Sequence, residues 1–232
     1  MSSRRGYNQF CPVAKAAEIL ATRWTPLIMR ELISGSSGFN EIHRGVPLMS
    51  RPLLSQRLRE LLAAGVIVRD EHGGYRLTQC GRQLEPIIIA MGVWGAQWVE
   101  SAAEGPDWDA GVLMWDMRRR IDPTALPPER ILLQFDYQDA PAEMCRWWLL
   151  IQDGEVELCL SDPGYEVDLY IMTTVREMGR VWIGQRSLAR AVDSDAIRLH
   201  GRRDLTRQLS SWLLLSPVAE ELGRRRATAA SN

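Results

Sequence analysis

The sequence predicts an α+β protein of two domains, with a mostly helical first half and a strand-rich second half. Apolar residues in the first hundred positions recur at helical spacing, apart from two short β-prone segments. The later positions carry short alternating or fully apolar runs, with an Asp153-Gly154 turn signal between two of them. Residues 101–112 (SAAEGPDWDAGV) combine Gly, Pro and acidic residues, which predicts a linker between the halves.

Composition excludes several classes of protein. Of 232 residues, 46% are hydrophobic and 25% charged, a mixture typical of globular domains and not of disordered or fibrous chains. The longest nearly apolar stretch, residues 87–99, is shorter than the ~20 residues that a spanning helix needs, and no apolar segment follows the basic N-terminus. The cysteines and histidines are scattered, so we expect a cytoplasmic protein without disulfides, metal or cofactor.

The charges are distributed unevenly between the halves. Residues 1–100 hold 12 Lys or Arg against 8 Asp or Glu, a net charge of +4. Residues 101–232 hold 16 against 21, a net charge of −5. This asymmetry indicates that only the first half approaches a polyanion such as DNA.

Four helices are predicted in the first 65 residues, at 12–20, 25–33, 39–44 and 51–64. Thr25 is the candidate N-cap of the second helix, with Pro26 at its first position; Ser50 is a favourable N-cap for the fourth helix, and Gly65 suits its end. On a helical wheel the fourth helix has an apolar stripe, which consists of Leu54, Leu58, Leu61 and Leu62.

A β-hairpin follows these helices. The β-prone segments 66–68 and 75–77 flank a polar, glycine-containing tip, RDEHGG. Thr78 then caps a helix predicted to run to about Val99. Three of these helices followed by the hairpin give the layout of a winged helix-turn-helix. In that motif the second helix of the helix-turn-helix pair enters the major groove, and the hairpin contacts the flanking DNA backbone.

The polar face of the fourth helix carries side chains suited to base contacts. Opposite the leucine stripe lie Ser55, Gln56 and Arg59; Gln bonds adenine bidentately, Arg bonds guanine, and Ser reaches a base or phosphate. The alternative is an ordinary solvated face of an amphipathic helix. The wing and the charge asymmetry favour DNA, and the predicted contacts are Ser50, Arg51, Ser55, Gln56, Arg59 and, in the wing, Arg76.

A series of linked motifs spans about residues 7–100, in the order Cys11-Pro12-Val13, Arg23-Trp24-Thr25, Arg30-Glu31-Leu32, Phe39-Asn40-Glu41-Ile42, Leu54-Ser55-Gln56-Arg57-Leu58-Arg59-Glu60-Leu61, Tyr75-Arg76-Leu77-Thr78 and Gly81. This series resembles the HxlR-type winged-helix transcriptional regulators. The resemblance implies a dimeric DNA-binding regulator whose subunits associate through the helices at 12–20 and 78–99. The second helix carries a large apolar surface, composed of Ile87, Ile88, Met91, Trp94 and Trp98. Packing against the second domain of the same chain is the alternative.

Cys11 has two interpretations. Some HxlR-type proteins use a cysteine at the start of this segment to sense oxidants or electrophiles, so the resemblance implies redox sensing at Cys11. Its place immediately before Pro12, at a helix start, permits thiolate formation. The alternative is a small residue packed at the dimer seam.

The second half predicts an antiparallel meander with helices on one face. Strands are predicted at 130–135, 146–152, 155–160, 167–173 and 196–200, and helices at 174–183, 187–192 and 204–213. Residues 223–232 predict a flexible tail. Asp168 is the polar exception in its strand, and we expect it to face outward or bond to backbone. Catalytic motifs are absent, which predicts that the protein is not an enzyme.

A second resemblance covers about residues 113–220. The order of the Val167-Asp168-Leu169 strand, the Trp182-Ile183-Gly184 helix end, the segments 187–192 and 197–201, and a closing helix with Trp212 is similar to the sterol-carrier-type fold. The resemblance implies a cavity for a small apolar ligand, without covalent chemistry. Its predicted lining is Trp147, Trp148, Leu169, Trp182 and Trp212; the alternative is that the tryptophans fill a core.

Together these observations predict a homodimeric, DNA-binding transcriptional regulator controlled by an apolar ligand. Residues 1–100 would bind DNA and dimerise, 101–112 would link, 113–222 would bind the ligand, and 223–232 would form the tail. The alternative is a carrier of lipid-like ligands whose winged helix is an interaction module. DNA binding with a steep salt dependence separates the two functions.

Overall fold

The computed structural model describes residues 6–99 and 108–230. The chain divides into two compact units, Met1–Ile88 and Ile89–Asn232. Of the linker predicted at 101–112, residues 101–107 lie outside the described residues, and the remainder leads into a helix.

The first unit begins with four helices, α1 (Pro12–Leu20), α2 (Thr25–Ile33), α3 (Phe39–Gly45) and α4 (Arg51–Ala63). Their predicted bounds are confirmed to within a residue. One detail is wrong: Trp24, with φ 77°, and not Thr25, occupies the N-cap of α2. Ser50 is the N-cap residue of α4, and Gly65 follows the helix with φ 68°, a conformation that glycine adopts without strain.

The wing consists of β1 (Ile67–Arg69) and β2 (Tyr75–Leu77), which pair antiparallel. Asp70 holds the tip, because its Oδ1 accepts hydrogen bonds from the backbone N–H groups of His72 (2.9 Å) and Gly74 (2.8 Å). The predicted hairpin is therefore confirmed, and its tip has a defined conformation.

The single helix predicted at 78–99 is two helices, α5 (Gln79–Arg82) and α6 (Glu85–Trp98). Thr78 caps α5 by accepting a hydrogen bond from the backbone N–H of Gly81 at 3.2 Å. Pro86 explains the break, since it lacks an N–H and its ring would clash with the carbonyl four residues earlier in a continuous helix. In the structure Pro86 lies in the first turn of α6, where proline is tolerated.

The second unit is a five-stranded sheet with helices. After α7 (Ala110–Arg118) and a 3₁₀ turn (Pro123–Ala125) come β3 (Ile131–Tyr137), β4 (Arg146–Gln152), β5 (Glu155–Cys159) and β6 (Leu169–Thr173). The remaining elements are α8 (Val175–Trp182), α9 (Leu188–Asp193), β7 (Arg198–Gly201), α10 (Arg203–Arg207), α11 (Leu209–Trp212) and α12 (Pro217–Ala230).

The strand order β5-β4-β3-β6-β7 corrects the predicted meander. The β3–β4, β4–β5 and β6–β7 pairs are antiparallel, but β6 lies parallel to β3. Asp168 stabilises the start of this parallel pair, because its Oδ2 accepts a hydrogen bond from the backbone N–H of Leu132 at 2.9 Å. The expectation that Asp168 bonds to backbone is thus confirmed.

The prediction of a flexible tail at 223–232 is wrong for residues 223–230, because α12 continues to Ala230. Alanine, arginine and glutamate favour helices. Glu221 also forms ion pairs, each with an N···O distance of 2.8 Å, with Arg224 and Arg225 one turn later. Residues 231–232 lie outside the described residues. None of the helices within the described residues has the length and apolar character to cross a membrane.

Candidate nucleic-acid interface

Helix α4 separates its apolar and polar residues cleanly. Leu54, Leu58 and Leu61 are buried in the core of the first unit, whereas Leu62, the fourth member of the predicted stripe, is half-buried. Gln56 and Arg59 are exposed, as the wheel predicts for the opposite face, and Ser55 is half-buried. The buried stripe fixes the rotation of α4, and it therefore fixes which polar side chains solvent can reach.

The start of α4 is joined to α3. Arg51 Nη2 donates to Asn40 Oδ1 at 2.6 Å, and the guanidinium lies 5.1 Å from the ring centroid of Phe39. Ser50 is exposed and its hydroxyl makes no capping bond. This end of the helix therefore presents an oriented cation beside a free hydroxyl, both suited to phosphate. Asn40 is a further polar residue at this end of the helix and is not among the predicted contacts.

Further along α4 the predicted residues form pairs one turn apart. Arg59 Nη1 donates to Ser55 Oγ at 3.0 Å, and Gln56 Nε2 donates to Glu60 Oε1 at 3.2 Å. Arg57 Nη1 lies 2.6 Å from Glu60 Oε2. These hydrogen bonds lie at the protein surface, and the contact with Arg57 offsets the charge of Glu60.

The wing presents one arginine on each of its faces. Arg76 is exposed and faces Val68 across the hairpin. Arg69 lies 4.6 Å from the ring centroid of Tyr75 and donates to Gly73 O (2.6 Å) and to the Tyr75 hydroxyl (3.1 Å). Arg69 is not among the predicted contacts, because the sequence groups it with the polar tip RDEHGG. In the hairpin it pairs with Tyr75, on the face opposite to Arg76.

A buried charged contact joins α2 to the end of α3. Glu31 is fully buried, and its Oε1 accepts hydrogen bonds from Arg30 Nε (3.1 Å) and Nη2 (2.9 Å). Ser36 Oγ donates to Glu31 Oε2 at 3.3 Å, and Arg30 Nη2 also donates to Gly45 O at 2.7 Å. This contact positions α3, the helix that precedes α4.

The N-terminal helix begins among exposed apolar side chains. Cys11, at the N-cap position of α1, is half-buried, and its side chain makes no capping hydrogen bond. The neighbouring Tyr7, Phe10 and Val13 are exposed, with 97% of Phe10 accessible. Such apolar exposure is costly for an isolated surface.

Helix α6 also exposes large apolar side chains, namely Ile87, Met91, Trp94 and Trp98, whereas Ile88 is half-buried. Its other side packs within the second unit. Val93 is buried, Gly92 leaves no space for a Cβ beside Val218, and Ala96 O accepts a hydrogen bond from Gln185 Nε2 at 3.3 Å. Both interpretations of this helix therefore have support, because one side packs within the chain and the other side is uncovered.

The residues predicted to line a ligand cavity lie on both faces of the sheet. Trp147, Leu169, Trp182 and Trp212 belong to one hydrophobic cluster and are buried. Trp148 points to the opposite face, where its Nε1 donates to Gln134 Oε1 at 3.0 Å. Adjacent residues of a strand face opposite sides, so Trp147 and Trp148 cannot contact one ligand on the same face.

Comparison with known proteins identifies the first part of the chain. A family model described as HxlR-like helix-turn-helix matches residues 19–103. The HTH-type transcriptional regulator YvaP of Bacillus subtilis is 37% identical over 100 residues, which cover 40% of this chain and 93% of YvaP. The quinone-bound YodB structure from B. subtilis matches with 32% identity and a TM-score of 0.35, covering 38% of this chain and 99% of YodB. The redox regulator HypR, in its reduced form, matches with 34% identity and a TM-score of 0.34, covering 37% and 90%.

Proposed function

The chain belongs to the HxlR-like helix-turn-helix family of transcriptional regulators, and we propose that it binds its operator with α4 in the major groove. The observation that carries this proposal is the division of α4 into a buried leucine stripe and an exposed polar face. A helix held in this way offers a fixed set of side chains to base edges.

Two side chains of α4 have the chemistry for sequence readout. Gln56 presents an amide that bonds adenine at two atoms, and Arg59 presents a guanidinium that bonds guanine at two atoms. Ser55 reaches a base or the phosphate beside them. Ser50 and Arg51, at the start of the helix, and Arg76 of the wing contact phosphates and fix the register without distinguishing sequences.

Alanine variants test this assignment. Arg59→Ala and Gln56→Ala each cost about 1–3 kcal/mol of specific operator binding and relax the preference at one base pair. Arg76→Ala weakens binding to every sequence alike and lowers the salt slope by about one. The control is Arg198→Ala, an exposed arginine of the second unit. Fluorescence anisotropy over a salt series measures all four, and unchanged affinity in the three test variants refutes the assignment.

We also propose that the regulator is a homodimer. Apolar side chains are exposed on α1, in the first unit, and separately on α6; burying either set against a second copy of the chain gives a dimer whose two recognition helices address half-sites about one helical turn apart. A Trp94→Glu variant places a charge on the apolar side of α6 and produces a monomer with weak operator binding. Light scattering of the wild type and the variant measures the association. A monomeric wild type at micromolar concentration contradicts the proposal.

For the second unit we propose a sterol-carrier-like domain that binds a small apolar ligand and adjusts operator affinity. Its helix-covered sheet holds Trp147, Trp182 and Trp212 in one cluster, the side on which a ligand would enter. A ligand that binds more tightly to either the DNA-competent or the DNA-incompetent state of the regulator shifts operator affinity about 5–150-fold. Fatty acids and acyl thioesters should quench tryptophan fluorescence, and Trp182→Ala should weaken that binding more than DNA binding. If no apolar compound binds, the domain is structural.

Redox sensing is a second candidate function, favoured by the half-buried thiol of Cys11 at the N-cap of α1 and by the similarity to a redox regulator. Treatment with diamide or a quinone should change operator affinity in the wild type and not in Cys11→Ser. A matched Cys80→Ser variant controls for the exposed thiol of Cys80. An equal response in Cys11→Ser excludes sensing by this residue.

A further inference from the structure

The second unit carries a positively charged surface that the functions above do not use. Residues 175–192 contain one acidic residue, Glu177, and four basic residues, Arg176, Arg180, Arg186 and Arg190. Their net charge is +3, in a half of the chain whose net charge is −5. Two further carboxylates lie at this surface: Asp193 directly follows the segment, and Asp139 accepts the backbone N–H groups of Val175 and Arg176. With these two carboxylates the local net charge is +1, which is still positive within an acidic half of the chain. We call these four arginines the arginine patch.

Three arginines of the patch have free guanidinium groups. Arg176, Arg180 and Arg190 are exposed, and none of them forms an ion pair within the described residues. Arg176 and Arg180 lie four residues apart on α8, so they project from the same face of the helix. Like charges at this spacing repel each other, and an anion bound between them would offset that repulsion.

The fourth arginine and the backbone hold the patch in place. Arg186 Nε lies 2.7 Å from Glu177 Oε1, and its Nη2 donates to Ser194 Oγ at 2.7 Å. The carbonyl of Arg180 accepts backbone N–H bonds from Gln185 (2.9 Å) and Arg186 (3.1 Å), which fixes the turn after α8. The acidic residue of the segment is thus already neutralised, and the free guanidiniums extend from an ordered base.

Two surface cavities meet at Arg180. One, of about 420 Å³, is lined by Arg176, Arg180, Gln185, Gln97, Trp108, Ala96 and Val99. The other, of about 580 Å³, is lined by Arg180, Arg186, Arg190, Ser187, Asp193 and Ser194. Asp193 is the one carboxylate in these two linings, so the polar lining consists mainly of hydrogen-bond donors. Both depressions are open to solvent, so a charged molecule reaches the guanidinium groups without being enclosed.

We propose that the arginine patch binds a small molecule bearing two or more phosphate groups, of the pyrophosphate or nucleoside polyphosphate class. A guanidinium donates two parallel hydrogen bonds to a phosphate, which makes arginine the favoured partner for such groups. Two linked phosphates reach the guanidinium groups of both depressions, with Arg176 on one side of Arg180 and Arg190 on the other. A single carboxylate is too small to contact all three arginines at once. The site requires no covalent step and is independent of the proposed DNA contacts.

Isothermal titration calorimetry of the full chain tests the proposal, with pyrophosphate and ATP as probes in EDTA at constant ionic strength. Acetate and inorganic phosphate are the comparison anions. We expect saturable binding of both probes and binding of acetate weaker by about tenfold or more, because fewer charge-assisted hydrogen bonds form. The double variant Arg176→Gln/Arg180→Gln should weaken probe binding by about tenfold or more. The charge-matched control Arg198→Gln/Arg207→Gln alters two exposed arginines outside the patch and should bind like the wild type.

Three results overturn the proposal. The first is an absence of saturable binding, and the second is an equal loss of affinity in the control variant. The third is a DNA effect: if Arg176→Gln/Arg180→Gln lowers the affinity for duplex DNA without any probe present, and Arg198→Gln/Arg207→Gln does not, the patch contacts the DNA backbone instead. Circular dichroism of each variant establishes that its fold is intact.

Discussion

Replacing Gly45 by alanine tests the buried contact between α2 and α3. A Cβ on Gly45 would lie 2.0 Å from Glu31 Cδ and 2.2–2.3 Å from the two carboxylate oxygens. Atoms do not approach this closely, so the Glu31 carboxylate must move. The φ angle of Gly45 lies outside the left-handed region, so the alanine backbone itself is unstrained. The expected cost therefore comes from the displaced carboxylate.

The magnitude follows from the hydrogen bonds that the carboxylate makes. Overpacking a filled site costs about 1–3 kcal/mol. Displacing Glu31 also weakens its bonds from Arg30 and Ser36, and a hydrogen bond to a charged group contributes about 1.5–3 kcal/mol. Arg30 is one-third exposed and remains hydrated, which favours the lower values. Alanine regains less than the ~1 kcal/mol of helix propensity that applies in a helix interior, because Gly45 is the last residue of α3. We expect Gly45→Ala to lower the free energy of unfolding of the first unit by about 2–4 kcal/mol.

A double-mutant cycle with Glu31→Ala isolates this contact. Glu31→Ala alone should destabilise the first unit by about 2–3 kcal/mol through lost hydrogen bonds. When Glu31 is alanine, the methyl group added by Gly45→Ala meets no carboxylate. The destabilisation of the double variant should therefore be smaller than the sum of the two single-variant destabilisations by about 1–3 kcal/mol. Native-state hydrogen exchange, read by mass spectrometry on peptides from α2, α3 and α4, measures the free energy of each variant.

Additive effects, within about 0.5 kcal/mol, would refute the reasoning, because they mean that the methyl group does not press on Glu31. Gly95→Ala, followed on peptides from α6, is the control for adding a methyl group to a helix without a clash. Gly95 also lies in a helix, but a Cβ there meets nothing within 4 Å. It should therefore be neutral or stabilising.

Three further predictions concern stability and thiol chemistry. Leu58→Ala, which truncates a fully buried side chain of α4, should cost about 2–5 kcal/mol in urea denaturation, and a loss under about 1 kcal/mol would contradict the buried stripe. Burial raises the pKa of the Cys159 thiol, so iodoacetamide should alkylate it more slowly at neutral pH in the native chain than in urea, and equal rates by mass spectrometry would be inconsistent with this. The hydrogen bond from Arg202 lowers the pKa of Asp204, so its stabilising contribution is complete above the usual carboxyl pKa and is lost as the pH falls through the lowered folded value. The stability difference between wild type and Asp204→Asn should thus shrink below about pH 4, and a constant difference from neutral to acid pH would disprove the linkage.

The candidate recognition helix could be predicted because its signals are local. The leucine spacing sets its buried face, and Ser50 and Gly65 mark its ends, so the exposure of Gln56 and Arg59 follows from the helical period alone. The hydrogen bonds between Arg51 and Asn40, and between Arg69 and Tyr75, join different elements. No spacing within one segment encodes them.

The sequence by itself determined the elements: the helices of the first unit, the wing, and most strands of the second, since each depends on propensity and periodicity within a few residues. Tertiary structure decided what those elements contact. Alternation along β3 and β6 is the same for parallel and antiparallel neighbours, so only the folded sheet places them parallel. Likewise α12 is a polar segment whose helix packs only after folding, with Ala219 and Leu222 buried. The carboxylate of Glu31 lies in a space that Gly45 leaves open, and that space arises only when α2 and α3 pack together.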